Sequence, residues 1–125
     1  MSDAVLVTGA FGLVGSATVK HLAAHGRHVV ATDLDTPATR KAAAKLPSGV
    51  QVRWADLTDP AAVDALLREV SPAAVIHLAA VIPPLCYAKP QLARKVNVEA
   101  TANLVKAAEA QPKPPRLVQA SSIAV

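Results

Sequence analysis

The feature that most limits what this chain can become is VTGAFGLVG, residues 7–15. It follows the apolar run AVLV at 4–7, which reads as a buried strand. It precedes a stretch whose apolar residues, Leu13, Val14, Ala17 and Leu22, recur at helical spacing and face the core in this reading, with Gly26 as the stop. Three glycines therefore stand where a buried strand turns into a helix, and each has its own use there. Gly9 permits the tight turn. Gly12 lets the backbone approach a pyrophosphate with no side chain between, and Gly15 lets helix and strand pack closely. The helix start adds unpaired amides and a partial positive charge.

The rest of the chain repeats the same alternation. HVVATD (28–33) reads as a second strand, 36–46 as a short helix closed by Pro47, Ser48 and Gly49, and VQVRWA (50–55) as a third strand. Asp59 is an N-cap and Pro60 a first helical residue for a helix whose inner stripe is Val63, Leu66, Leu67 and Val70. AAVIHLAA (73–80) is a fourth strand, apolar on both faces, followed by the proline-bearing loop VIPPLCYAKP. A long helix is expected over 91–110, with Leu92, Val96, Leu104, Val105 and Ala108 inward. QPKPP (111–115) breaks it, and RLVQA (116–120) is a fifth strand. Strands apolar on both faces and alternating with helices define an α/β fold, a Rossmann-type doubly wound parallel sheet. Right-handed crossovers give the strand order 3-2-1-4-5. With no linker or repeat, residues 1–125 make one domain.

Asp33 ends the second strand about 20 residues past the glycine turn, where a carboxylate accepts hydrogen bonds from an adenosine ribose. It also repels a 2′-phosphate, so the pattern points to NAD rather than NADP.

Composition removes several alternatives. Hydrophobic residues are 52% of the chain and charged residues 18%, which excludes a disordered segment. Phe11, Trp54 and Tyr87 are the only aromatic residues, and the net charge of +4 is scattered, so nothing resembles a nucleic-acid surface. The apolar stretch 73–85 is interrupted by His77, Pro83 and Pro84 and is too short to span a bilayer. No signal peptide is visible, and the single cysteine, Cys86, suits a reducing, cytoplasmic setting. Cys86 reads as inert, Trp54 as sheet packing and His77 as a packed core histidine. His21 and His25 stand four apart on a helix with no acid nearby, so no metal site is expected.

TGAFGLVG, Asp33, ADL (55–57), HLAA (77–80), VNVEAT (96–101) and SSIAV (121–125) occur in an order and at a spacing that resemble the NAD-dependent epimerases and dehydratases of the extended short-chain dehydrogenase/reductase family. The resemblance implies that Gly9, Phe11, Gly12, Leu13, Val14 and Gly15 line the cofactor phosphates. It implies that Asp56 and Leu57 contact adenine and that Ala79 and Ala80 form the wall toward the nicotinamide. Asn97 would support the cofactor-side loops, although the family's Gly-Thr after it is here Ala100-Thr101. Ser122 would be the catalytic hydroxyl, with Ser121 one position away. The family's Tyr-x-x-x-Lys acid/base pair has no counterpart in this sequence: four residues past Tyr87 stands Gln91. The chain is thus expected to be the N-terminal, NAD-binding portion of a longer oxidoreductase, without its substrate-binding part and inactive alone. The complete enzyme would act on a hydroxyl of a small molecule, a nucleotide sugar by resemblance, and would form a homodimer through the 91–110 helix. A non-catalytic dinucleotide-binding sensor shares every motif up to Asp33 and stands as the alternative.

Overall fold

A computed structural model describes residues 3–122. Twelve elements follow in chain order: β1 (Val5–Thr8), α1 (Leu13–Ala24), β2 (Val29–Asp33), α2 (Pro37–Ala43), β3 (Gln51–Trp54), α3 (Pro60–Val70), β4 (Ala74–His77), α4 (Leu85–Ala88), α5 (Pro90–Arg94), a π-helical turn (Lys95–Glu99), α6 (Ala100–Glu109) and β5 (Arg116–Gln119). The five strands form one parallel sheet in the order β3-β2-β1-β4-β5, the order expected from the crossovers. Thr8 lies level with Thr32 on one side and His77 on the other, so the central strands end together at one edge.

Alternation along the strands divides the core into two layers. Leu6, Val30 and Val75 face one way and meet Val63, Leu66, Leu67 and Val70 of α3 and Leu104 and Ala107 of α6. Val5, Val7, Val29 and Ala31 face the other way and meet Val19 of α1, with Leu22, Leu46 and Ile76 at the margin. The α3 stripe is the one read from the sequence. Its ends follow the local chemistry too: the Asp59 side chain accepts from the Ala61 amide at 3.1 Å, Pro60 opens the helix, and Ser71 closes it at a φ of 45°.

Three expectations need correction. Leu13, Val14 and Ala17 do not face the core: Leu13 is 91% and Val14 62% exposed, while Gly15 and Val19 are the buried residues of α1. The glycine turn rotates the helix so that its first turn stands at the rim of the sheet. β4 ends at His77 rather than running to residue 80, because 78–80 turn away to pass the glycine loop. The single helix expected over 91–110 is α5, the π turn and α6 in succession, and α4 occupies part of the proline-bearing loop. Leu104 and Ala108 are buried as expected, Val96 and Val105 are half-buried, and Leu92 is exposed. β5 forms one edge of the sheet, and Val118 on it is exposed.

Candidate functional site

The carboxyl ends of the strands frame a cleft of about 410 Å³, a size suited to a small organic ligand. It lies where the chain order reverses, between β1 and β4. Gly9 and Gly12 form one side, Asp33 and Leu34 the next, Asp56 and Leu57 the third, and Ala79, Ala80 and Val81 the fourth. Leu92 and Val96 close it from the helical side.

The glycines divide by what the fold demands of them. Gly9 has a φ of +62°, and a Cβ there would stand 2.7 Å from the Ala79 amide nitrogen. A Cβ on Gly15 would stand 2.0 Å from the Gly9 carbonyl oxygen. Both positions are closed to side chains by the protein itself. Gly12 differs. Its φ is −75°, and a Cβ would meet only the Gly9 carbonyl oxygen at 3.5 Å, an ordinary contact. The protein leaves room for a side chain at Gly12, a residue that lines the cleft.

The start of α1 is built to match. Thr36 caps α2 and Asp59 caps α3, whereas no side chain caps α1, as none caps α4, α5 or α6. The amides of Leu13, Val14 and Gly15 therefore have no side-chain partner, and the positive end of the helix dipole opens on the cleft rim.

Asp33 takes part in the turn as well as lining the cleft. One carboxylate oxygen accepts from the Phe11 amide at 3.1 Å and the other from the Leu34 amide at 2.8 Å. An ionised carboxylate offers about four acceptor positions, so two remain for a ligand. Arg40 donates to both oxygens of Asp35, at 2.6 and 2.9 Å, and its guanidinium lies over the Trp54 ring. Trp54 also packs on Phe11, with ring centroids 5.6 Å apart. Asp56 accepts from both the amide and the hydroxyl of Thr58, and these bonds hold its carboxyl below the usual carboxylate range. Leu57 is buried, and its carbonyl accepts from Asn103 of α6 at 3.0 Å.

Asn97 sits in the π turn and grips the fourth side of the cleft. Its Oδ1 accepts from the Val81 amide at 2.7 Å and its Nδ2 donates to the Val81 carbonyl at 2.9 Å, as a neighbouring strand would. His77, buried beneath, bonds Thr8 and Thr101. The structure thus brings Gly9, Gly12, Asp33, Asp56, Leu57, Ala79 and Ala80 around one cleft. Ser122 lies exposed just past β5, apart from the cleft lining; Ile123, Ala124 and Val125 of the SSIAV motif lie outside the described residues. Thr58 and Asn103 were not singled out from sequence, and Thr8 and Thr101 stood there only as members of motifs, because a single polar residue on a strand end or helix carries no pattern of its own. His21 and His25 stack with ring centroids 4.3 Å apart. Among the described residues no three His, Cys, Asp or Glu side chains gather to hold a metal, and no helix is long and apolar enough to cross a membrane.

This sheet order, with a glycine turn opening α1 and an acid ending β2, defines a Rossmann-type domain. The model of the NAD dependent epimerase/dehydratase family matches residues 5–125, and the chain belongs to that family. It is 33% identical over 108 residues to methionine adenosyltransferase 2 subunit beta of Xenopus laevis, covering 86% of this chain and 29% of the frog protein. Among solved structures it resembles the UDP-glucose 4-epimerase of Thermus thermophilus in complex with NAD, at 34% identity and a TM-score of 0.75, covering 83% of this chain and 33% of that one. It also resembles the UDP-glucose 4-epimerase of Stenotrophomonas maltophila with bound NAD and formylated UDP-arabinopyranose, at 27% identity and a TM-score of 0.81, covering 95% and 37%. The chain spans about a third of the length of these relatives.

Proposed function

We propose that this chain is the cofactor-holding part of an NAD-dependent oxidoreductase-type enzyme that acts on a hydroxyl of a small molecule, of the nucleotide-sugar class. The observation that carries the reading is Gly12. The fold does not need a glycine there, yet the position lacks a side chain and faces the cleft beside the uncapped start of α1. That combination serves a diphosphate.

The residues present fit NAD. Gly9 to Gly15, with Phe11, Leu13 and Val14 between them, would hold the phosphates through the backbone. The two unused acceptor positions of Asp33 would take the ribose hydroxyls. Asp56 and Leu57 would flank the adenine, and Ala79 and Ala80, held by Asn97, would form the nicotinamide side. When bound, NAD supplies a hydride acceptor. Within the whole protein Ser122 would steady the substrate oxygen and residues 91–110 would contribute to a dimer. Preference for NAD over NADP rests on the charge of Asp33 and on Arg40, whose own charge is already answered by Asp35.

The test is Asp33→Ala with NAD and NADP titrated separately by calorimetry. Loss of charge-assisted bonds should weaken NAD by about 10- to 100-fold and narrow the gap to NADP. Unchanged affinity for both cofactors refutes the assignment.

A second reading, a non-catalytic dinucleotide-binding subunit, is favoured by one comparison: the frog relative is by name a subunit of an adenosyltransferase. Hydride transfer by the intact protein with a range of nucleotide sugars separates the two.

A further inference from the structure

His77 is 1% exposed, and its hydrogen bonds admit one arrangement of protons. The Thr8 hydroxyl oxygen accepts from the Leu78 amide at 3.0 Å and from the Ala79 amide at 3.2 Å. Its one proton therefore goes to its third partner, Nδ1 of His77, at 2.6 Å. Nδ1 must then be bare, and the neutral ring carries its proton on Nε2. That proton goes to the Thr101 hydroxyl at 2.9 Å, and Thr101 passes its own to the Asn97 carbonyl at 2.9 Å. The Asn97 side chain completes the path to both backbone groups of Val81.

The opposite tautomer fails. A proton on Nδ1 would face a hydroxyl already accepting two amides and would strand the hydroxyl's own proton. An imidazolium fails in the same way. It would also lie buried without a counter-charge. β1 carries no ionisable residue. Lys95 and Glu99 of the π turn, Lys106 and Glu109 of α6 and Arg116 of β5 are all exposed, and burial is the one cause that lowers the His77 pKa.

The path starts at Leu78 and Ala79, passes beneath the cleft wall through His77, and returns at Val81. Ala79 is also the residue against which Gly9 packs without room for a side chain. We propose that His77, as the neutral Nε2–H tautomer, is a positioning residue that sets the 78–81 wall against the glycine turn and so tunes cofactor affinity. This rests on the cofactor reading above; the relay itself is tested separately.

The experiment uses the intact protein, with nitrogen-detected spectra of the His77 ring, amide spectra, and calorimetry with NAD from pH 8 to pH 5. The expected result is an Nε2–H ring at pH 7. The amides of Leu78, Ala79 and Val81 should shift at the midpoint of His77, and NAD affinity should fall at least about tenfold through the same midpoint while circular dichroism stays constant. Thr101→Val should weaken NAD about tenfold at pH 7, and Thr101→Ser should restore it. A ring protonated on Nδ1 at pH 7, or wall amides indifferent to His77, overturns the proposal whatever NAD does. So does NAD affinity that is unchanged through the titration or in the folded Thr101→Val variant. If NAD binds at no pH, the cofactor reading fails, and with it the claimed tuning, even where the amides follow His77.

Discussion

At the scale of single residues, the glycine turn shows that identical residues can be required for different reasons. Gly15 is required by the Gly9 carbonyl, 2.0 Å from where its Cβ would be, whereas Gly12 has ordinary space. Gly15→Ala should therefore cost about 3 kcal/mol of stability or more, as overpacking against backbone does. Gly12→Ala should cost less than about 1 kcal/mol, since alanine is only a poorer N-cap than glycine, yet abolish detectable NAD binding. Thermal unfolding and calorimetry on both variants check the contrast. A Gly12→Ala protein that binds NAD normally would remove the main support for the cofactor reading. The three glycine positions were legible in the sequence. Their separate uses were read there too; the structure adds the distances that close Gly9 and Gly15 to a side chain and leave room at Gly12.

At the scale of elements, the local signals were reliable where chain neighbours set them. α3 has its cap, its proline and its buried stripe where the sequence placed them. Asp59→Ala should lower stability by about 1 kcal/mol, read as a shift in the urea midpoint with unchanged slope. The signals failed where a neighbour in space intervened. Leu13 and Val14 fit a helical apolar face, but the packing of Gly15 against the loop turned them outward. The π turn at Lys95–Glu99 leaves no mark in the periodicity. It is visible only once Asn97 is seen to reach Val81 and Thr101 to reach His77.

At the scale of the whole molecule, two helical layers enclose a sheet that buries Thr8, Thr32 and His77 at its carboxyl edge. That placement gives stability a defined pH response. Burial lowers the His77 pKa from its ordinary 6.5. Below pH 6.5 the unfolded chain therefore takes up a proton that the folded chain refuses. Stability is complete above 6.5 and falls as the pH drops toward the folded-state pKa, by at most about 1.4 kcal/mol per pH unit. Asp56 acts lower on the scale: its lowered pKa adds stability that is present above 3.8 and lost below it. Denaturation curves at pH 7.5, 6.5 and 5.5 should show the first slope, and His77→Gln should flatten it. Equal slopes in both proteins would place the titration elsewhere.

The sequence by itself determined the sheet, its strand order, the turn at residues 7–15 and the acid at 33. These follow from short-range periodicity, from glycine sterics and from the handedness of crossovers. Only the tertiary structure decided what the polar residues between those signals do. Asn103 holds Leu57 across 46 positions, and Thr8 meets His77 across 69. A hydrogen bond over that separation has no period and no spacing. It exists because the sheet brings the ends of β1 and β4 level.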